Sequence, residues 1–345
     1  MLKFIAESAD TIIRDAGGYR REAPPGSSDM EMNYQATLDS EATGRVTRLQ
    51  DVFALLRIHQ WIKNCFVLTP LFFSRHFFDI GYHVRILPAF AAFCLISSAV
   101  YVLNDLMDRE ADAHHPEKRQ RPLAAGRVSV RAAISLIAVL AAAGLSAIFW
   151  TTPLFMAILL LYIVINVIYC FVSKHYPLAD IFSIASGFVL RVLAGGAQMD
   201  IHLSPWILIC TGLLALFLAV CKRRDDLILL GRGNGHRKSV AGYSVALLDG
   251  FIFVLVAAII VSYSSYSLNH EVQARLGSER IYLTIPYIVF GCFRYMQICM
   301  VYNKTGSPTK VLLSDKWLLL NAILWTTTFG ILLYWPDHVI FTIGS

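Results

Sequence analysis

The chain has 345 residues, 56% of them hydrophobic and only 16% charged, with a mean hydropathy of +0.56 and a formal net charge of +6. A soluble domain carries about 25% charged residues, whereas here the apolar residues lie in blocks that reach the roughly 20 needed to span a bilayer as helix. The pattern excludes an ordinary soluble enzyme and a membrane β-barrel, whose strands alternate in short segments. Basic clusters over 118–131 and 222–238 lack interleaved aromatics, which excludes nucleic acid as a partner.

Residues 1–50 hold Gly17-Gly18, Pro24-Pro25-Gly26 and mixed charges, and read as a polar cytosolic tail, partly disordered and without a signal peptide. The remainder, 51–345, reads as one all-α polytopic membrane domain. Its nine expected spans run over about 51–73, 87–107, 130–150, 153–172, 179–198, 204–221, 246–267, 281–302 and 315–335. The first contains Gln60-Trp61-Ile62-Lys63-Asn64; Trp61 and Lys63 are ordinary membrane-interface residues, or else Gln60, Lys63 and Asn64 face a phosphate site. A polar loop over 222–237 follows the sixth span. None of the cysteines forms a CxxC pair, so neither a disulfide framework nor a zinc site is suggested, and His114-His115 reads as a solvated pair. Loops after the even-numbered spans carry most Lys and Arg. The positive-inside rule then puts the N-terminus and those loops in the cytoplasm and the C-terminus outside, with Arg75, Arg85, Arg275 and Arg280 as exceptions.

The second span delivers Asn104, Asp105, Asp108 and Asp112. On a helix these fall within an arc of about 100°. Carboxylates at a helix C-terminus oppose the macrodipole, so helix stability does not account for them. Grouped this closely they repel unless a cation joins them. Mg²⁺ fits, since it takes one or two carboxylates and completes its shell with water and phosphate oxygens. Lys118, Arg119 and Arg121 follow, placed to meet phosphate charge.

A second constellation begins at Tyr169 and Lys174. On the fifth span Asp180, Gly187 and Arg191 share one stripe, within roughly 40°. Arg191 lies deep in the span, where an ionised side chain costs at least about 2.5–3.5 kcal/mol. It requires an acidic partner or a water-filled cavity.

Asn104-Asp105, Asp108 and Asp112 match the NDxxDxxxD motif of the UbiA superfamily of intramembrane prenyltransferases, which the chain resembles. The superfamily's second acidic motif is represented here by Asp180 alone, since Ile184 stands four residues later. The stretch 60–64, the stretch 104–126 and Gly187-Phe188-Val189-Leu190-Arg191 look most like the superfamily branch that transfers phosphoribose to polyprenyl phosphate; Lys222-Arg223-Arg224 and Arg294-Tyr295 also fit. The resemblance implies a UbiA-like helical bundle in the bacterial inner membrane with a cytoplasmic active site, and leaves a homo-oligomer open. It implies 5-phosphoribosyl 1-diphosphate as donor, a polyprenyl phosphate lipid as acceptor and Mg²⁺ as cofactor. Asp105, Asp108, Asp112 and Asp180 are then the expected metal ligands, with Asn104 orienting them. Gln60, Lys63, Lys118, Arg119, Arg121, Tyr169, Lys174, Arg191 and Lys222 are the expected substrate-binding residues. An aromatic prenyltransferase would use the same metals on a prenyl diphosphate, and the lone Asp180 and extra cations weigh against it. A transporter of phosphorylated solutes would line a route across the bilayer with charge, whereas here the ionisable groups crowd one end.

Overall fold

The structure is a computed structural model that describes residues 49–114, 118–231, 242–303 and 308–335. The tail over 1–48, His115, the 232–238 stretch, Lys304 and the chain after 335 lie outside the described residues. Contacts divide the chain into Met1–Asp51 and Val52–Ser345, and every element below belongs to the second unit.

Among the described residues, eight helices are long and apolar enough to cross a membrane. They are α1 (Ile80–Met107), α2 (Val130–Leu145, extended by a 3₁₀ turn to Phe149), α3 (Pro153–Phe171), α4 (Ala179–Met199), α5 (Pro205–Gly231), α6 (Val245–Leu268), α7 (Ile285–Gln297) and α8 (Lys316–Tyr334). A 3₁₀ turn (Ile281–Thr284) leads into α7 and a π-helical turn (Ile298–Tyr302) ends it. The starts follow local chemistry. Ser129, Thr152, Ser244 and Asp315 each accept a backbone N–H from the first turn of α2, α3, α6 and α8. Asp79 does the same for α1 through Gly81, and so the helix begins at Ile80, ahead of the expected 87.

The expected first span takes a different form. Ile58–Leu68 is a 3₁₀ helix of 11 residues, followed by a five-residue α-helical turn, Thr69–Phe73. At about 2.0 Å per residue in the 3₁₀ part and 1.5 Å in the α part, the segment covers roughly 30 Å. It runs from Arg57 beside the C-terminal end of α1 to Phe72, whose carbonyl accepts the Tyr334 hydroxyl at the far end of α8. It therefore makes a ninth pass with fewer residues than an α-helix needs. Backbone approach holds it in place: a Cβ at Gly195 of α4 would lie 2.0 Å from the carbonyl oxygen of Val67. Only glycine allows that contact.

Two of the four apolar cores among the described residues hold the site's helices together. Val67, Phe93, Phe155, Tyr162 and Leu190 join the 3₁₀ pass to α1, α3 and α4. Phe217, Ile252, Ile259 and Cys299 join α5, α6 and the end of α7. α4 packs on both α3 and α5, which brings the ends of α1, α3, α4 and α5 to one side of the bundle.

Candidate active site

The first cluster forms where α1 ends. The helix stops at Met107, and Asp108 leaves helical geometry (φ −90°, ψ 1°) before a short turn, Arg109–Ala113, continues the direction. The main chain keeps its i to i+4 bonds through this joint, Asp108 N–H to Asn104 at 2.9 Å and Asp112 N–H to Asp108 at 2.8 Å. The main-chain register of the sequence motif therefore survives the break. Asp105 and Asp112 are buried, at 3% and 4% exposure. Both accept from one atom, Arg121 Nη1, at 2.9 and 2.6 Å. Lys118 Nζ lies 3.8 Å from Asp112, and Arg57 donates to Asp105 at 2.5 Å. Asp108 faces elsewhere: it accepts Lys174 Nζ at 2.6 Å and the Asn104 amide at 3.1 Å.

Among the described residues, no three Asp, Glu, His or Cys side chains form a metal-ready group. The pair Asp105 and Asp112 nonetheless aims two hard oxygens at one cationic atom. Mg²⁺ uses one or two carboxylates and leaves other positions to water and phosphate, so the donor set fits such an ion.

The second cluster centres on α4 and α5. Asp180 is fully buried. Its Oδ2 accepts Arg223 Nε at 2.5 Å, and its Oδ1 accepts the Tyr243 hydroxyl and the Ile181 N–H, both at 2.8 Å. Arg223 also donates to Asp226 at 3.0 Å. Burial, and then the carboxylate it donates to, pushes the Tyr243 hydroxyl up to about 12. It therefore keeps its proton and remains the donor. The end of α3 lies between the two clusters: Tyr169 contacts Arg223, and the Cys170 thiol donates to Asn104 at 3.8 Å.

Arg191 resolves its burial differently from the sequence expectation. It is 4% exposed and meets neutral partners: Asn64 Oδ1 at 2.8 Å, the Gly187 carbonyl at 2.7 Å and the Tyr162 hydroxyl at 2.9 Å. Phe93, Tyr162 and Phe188 present ring faces to the guanidinium, with Tyr162 nearest at 4.8 Å. Asn64 in turn donates to Ser97 at 3.0 Å, so the arginine fixes the 3₁₀ pass beside Lys63. Lys63 stands 6.0 Å from the Tyr101 ring centre, and Arg57 stands 5.4 Å from the same ring.

The structure thus gathers Asn104, Asp105, Asp108, Asp112, Lys118, Arg121 and Lys174, with Tyr169 and Asp180 adjoining. Arg119 is exposed, outside the cluster. Gln60 gives its backbone N–H to Arg57 at 2.7 Å, and Lys222 sits half-buried on α5. Sequence reasoning missed Arg57, Asp226 and Tyr243, and took Arg223 only as part of a resembling stretch, without a site role. Arg57 stands just before the 3₁₀ helix in left-handed backbone (φ 49°), a position no periodicity announces. The expected loop from 222 is the last part of α5, and the apolar run Leu227-Ile228-Leu229-Leu230 after the charged residues is the signal for it.

Comparison with known proteins bears on this geometry. Residues 66–231, which carry all but Arg57 and Tyr243 of the two clusters, match the UbiA prenyltransferase family. A decaprenyl-phosphate phosphoribosyltransferase of Mycolicibacterium smegmatis is 34% identical, covering 81% of this chain and 91% of its own length. The chain belongs to the UbiA family. The protein of the same description from Corynebacterium glutamicum is 33% identical, over 78% of this chain and 82% of its own. A UbiA homolog from Archaeoglobus fulgidus, solved bound to GPP and Mg²⁺, shares the fold (TM-score 0.59, 18% identity, 82% of this chain and 99% of that one). Family membership makes the chain an integral membrane enzyme, and the clustered helix ends are its candidate catalytic face.

Proposed function

We infer that the protein transfers 5-phosphoribose from 5-phosphoribosyl 1-diphosphate to a polyprenyl phosphate and releases diphosphate. The observation that carries this reading is the surplus of cations around the aspartate pair. Arg57, Lys118, Arg121 and Lys174 surround Asp105, Asp108 and Asp112, and Lys63, which pairs with no carboxylate among the described residues, stands close by. A donor with phosphate at both ends and an acceptor that is itself a phosphate would use that charge. The relatives from M. smegmatis and C. glutamicum carry the name of this activity.

Mg²⁺ held by Asp105 and Asp112, when bound, supplies neutralising charge to the leaving diphosphate. Arg121 would then move from the carboxylates to the diphosphate oxygens. Lys118 and Lys174 add donors on the same side, and Asp180 orients Arg223 towards the second flank. Lys63 anchors the acceptor phosphate at the 3₁₀ pass, positioned by Arg191 through Asn64. An acceptor oxygen attacks ribose C1, the bond from C1 to the diphosphate oxygen breaks, and the electron pair leaves with diphosphate. The acceptor is already an anion, so no general base is needed; catalysis rests on charge stabilisation and alignment. In-line attack inverts C1. Lys and Arg concentrated at this end orient it to the cytoplasm of a bacterial inner membrane.

Purified protein supplied with radiolabelled 5-phosphoribosyl 1-diphosphate and decaprenyl phosphate should give a labelled, solvent-extractable lipid. No such product, together with prenylation of an aromatic acid from a prenyl diphosphate, would overturn the assignment.

A further inference from the structure

The opposite end of the bundle holds a cavity of about 290 Å³, near the lower size limit of ligand pockets. It lies at the far end of α4 from Asp180, a 21-residue helix and so roughly 30 Å away. Its polar wall comes from His76, Tyr82, Asp200, His202, Tyr266 and Arg275.

Tyr266 gives the cavity its meaning. The residue is 6% exposed, and what it exposes lines this cavity. Tyr263, one turn earlier on α6, shares a hydrogen bond with Thr284 at 2.7 Å and accepts one from Trp325 at 2.9 Å. The Tyr266 hydroxyl faces the open space of the cavity, where a ligand can reach it. Arg275, exposed on the short helix His270–Leu276, reaches the His202 carbonyl at 3.5 Å and no other partner among the described residues. The His76 ring is fixed by stacking on Tyr82 at 4.1 Å. Arg275 also belongs to the few cations that charge-based orientation does not explain at this end.

A guanidinium, two imidazoles and a phenol suit a phosphate. Asp200, exposed at the end of α4 in left-handed backbone (φ 56°), repels a purely anionic ligand and suits an ammonium. We propose that this cavity binds the headgroup of a zwitterionic, ethanolamine-type phospholipid. The phosphodiester lies on Arg275, the histidines and the Tyr266 hydroxyl, and the ammonium lies on Asp200. Such headgroups sit at the depth where the spans end.

The test uses the full chain in detergent, with native mass spectrometry of bound phosphatidylethanolamine and phosphatidylglycerol at equal mole fractions. Wild type should retain the ethanolamine lipid preferentially. Tyr266→Phe and Arg275→Gln should each lower that retention about tenfold, with thermal midpoints and lipid-free transfer activity unchanged. Asp200→Asn should abolish the preference between the two lipids. Equal retention of both by wild type, undiminished retention in Arg275→Gln, or displacement of the lipid by inorganic phosphate alone would overturn the proposal.

Discussion

Asp105→Asn tests the aspartate pair most directly. The substitution keeps an oxygen and the shape but removes the charge that Arg57 and Arg121 share at 2.5 and 2.9 Å. Stripping one partner from a fully buried ion pair costs about 3–5 kcal/mol. Arg57 and Arg121 are 19% and 26% exposed, and Arg121 keeps Asp112, so water and the second carboxylate reduce the loss to about 1–3 kcal/mol. At roughly 2–4 °C per kcal/mol for a domain of this order, the thermal midpoint should fall by several degrees. Turnover should fall further, by about 10²–10³-fold, the usual cost of one charge-stabilising group. The double variant Arg57→Gln/Asp105→Asn separates the two effects: removing both charges should restore most of the midpoint and none of the transfer activity. A single Asp105→Asn protein within threefold of wild-type activity would refute the role of the carboxylate. So would a double variant that regains turnover with stability.

Three further outcomes follow. Chelation of divalent cations should abolish transfer and Mg²⁺ should restore it, measured with the same labelled donor; full activity in excess chelator would exclude the metal. Gly195→Ala should place a methyl against the Val67 carbonyl and cost at least about 1–3 kcal/mol, read as a lower thermal midpoint and lower membrane yield. Tyr243 has a folded value raised to about 12 against about 10 for a free phenol. Its contribution to stability is complete below pH 10 and lost as pH rises from 10 through 12. Tyr243→Phe should therefore remove about 1–3 kcal/mol at neutral pH and flatten that alkaline loss in a midpoint-against-pH series; an unchanged slope would contradict the Asp180 contact.

Much of this was legible in the residues. Apolar block length located eight helices, and of the face predicted from the spacing of Asn104, Asp105, Asp108 and Asp112, the side chains of Asp105 and Asp112 meet at Arg121 while that of Asp108 turns to Lys174. The stripe of Asp180, Gly187 and Arg191 is buried as its register requires. What escaped depended on tertiary partners. Arg191 was expected to need an acidic partner or a water-filled cavity; its partners are an amide, a backbone carbonyl, a phenol and three ring faces, and none of these can be paired with it from local sequence. The charged residues after Cys221 resemble a loop by composition, because burial beside Asp180 and Asp249 is what makes them affordable within a helix. The first pass depends on tertiary partners in the same way: it packs against the flat face at Gly195, far away in the chain.

That distance has a consequence for biogenesis. The pass over 58–73 is made before α1 to α8, yet its defining contacts, Arg191 to Asn64 across 127 residues and Gly195 to Val67, wait for α4. Alone in a bilayer it is short, and it carries Lys63 and Asn64 with no partners made. It can take its final form only after α1, α3 and α4 have been inserted and docked. A segment synthesised before α1 to α8 is thus fixed only after several of them. Slow, high-separation closure of this kind makes the N-terminal pass the place where a stalled or truncated chain would be left open to membrane quality control.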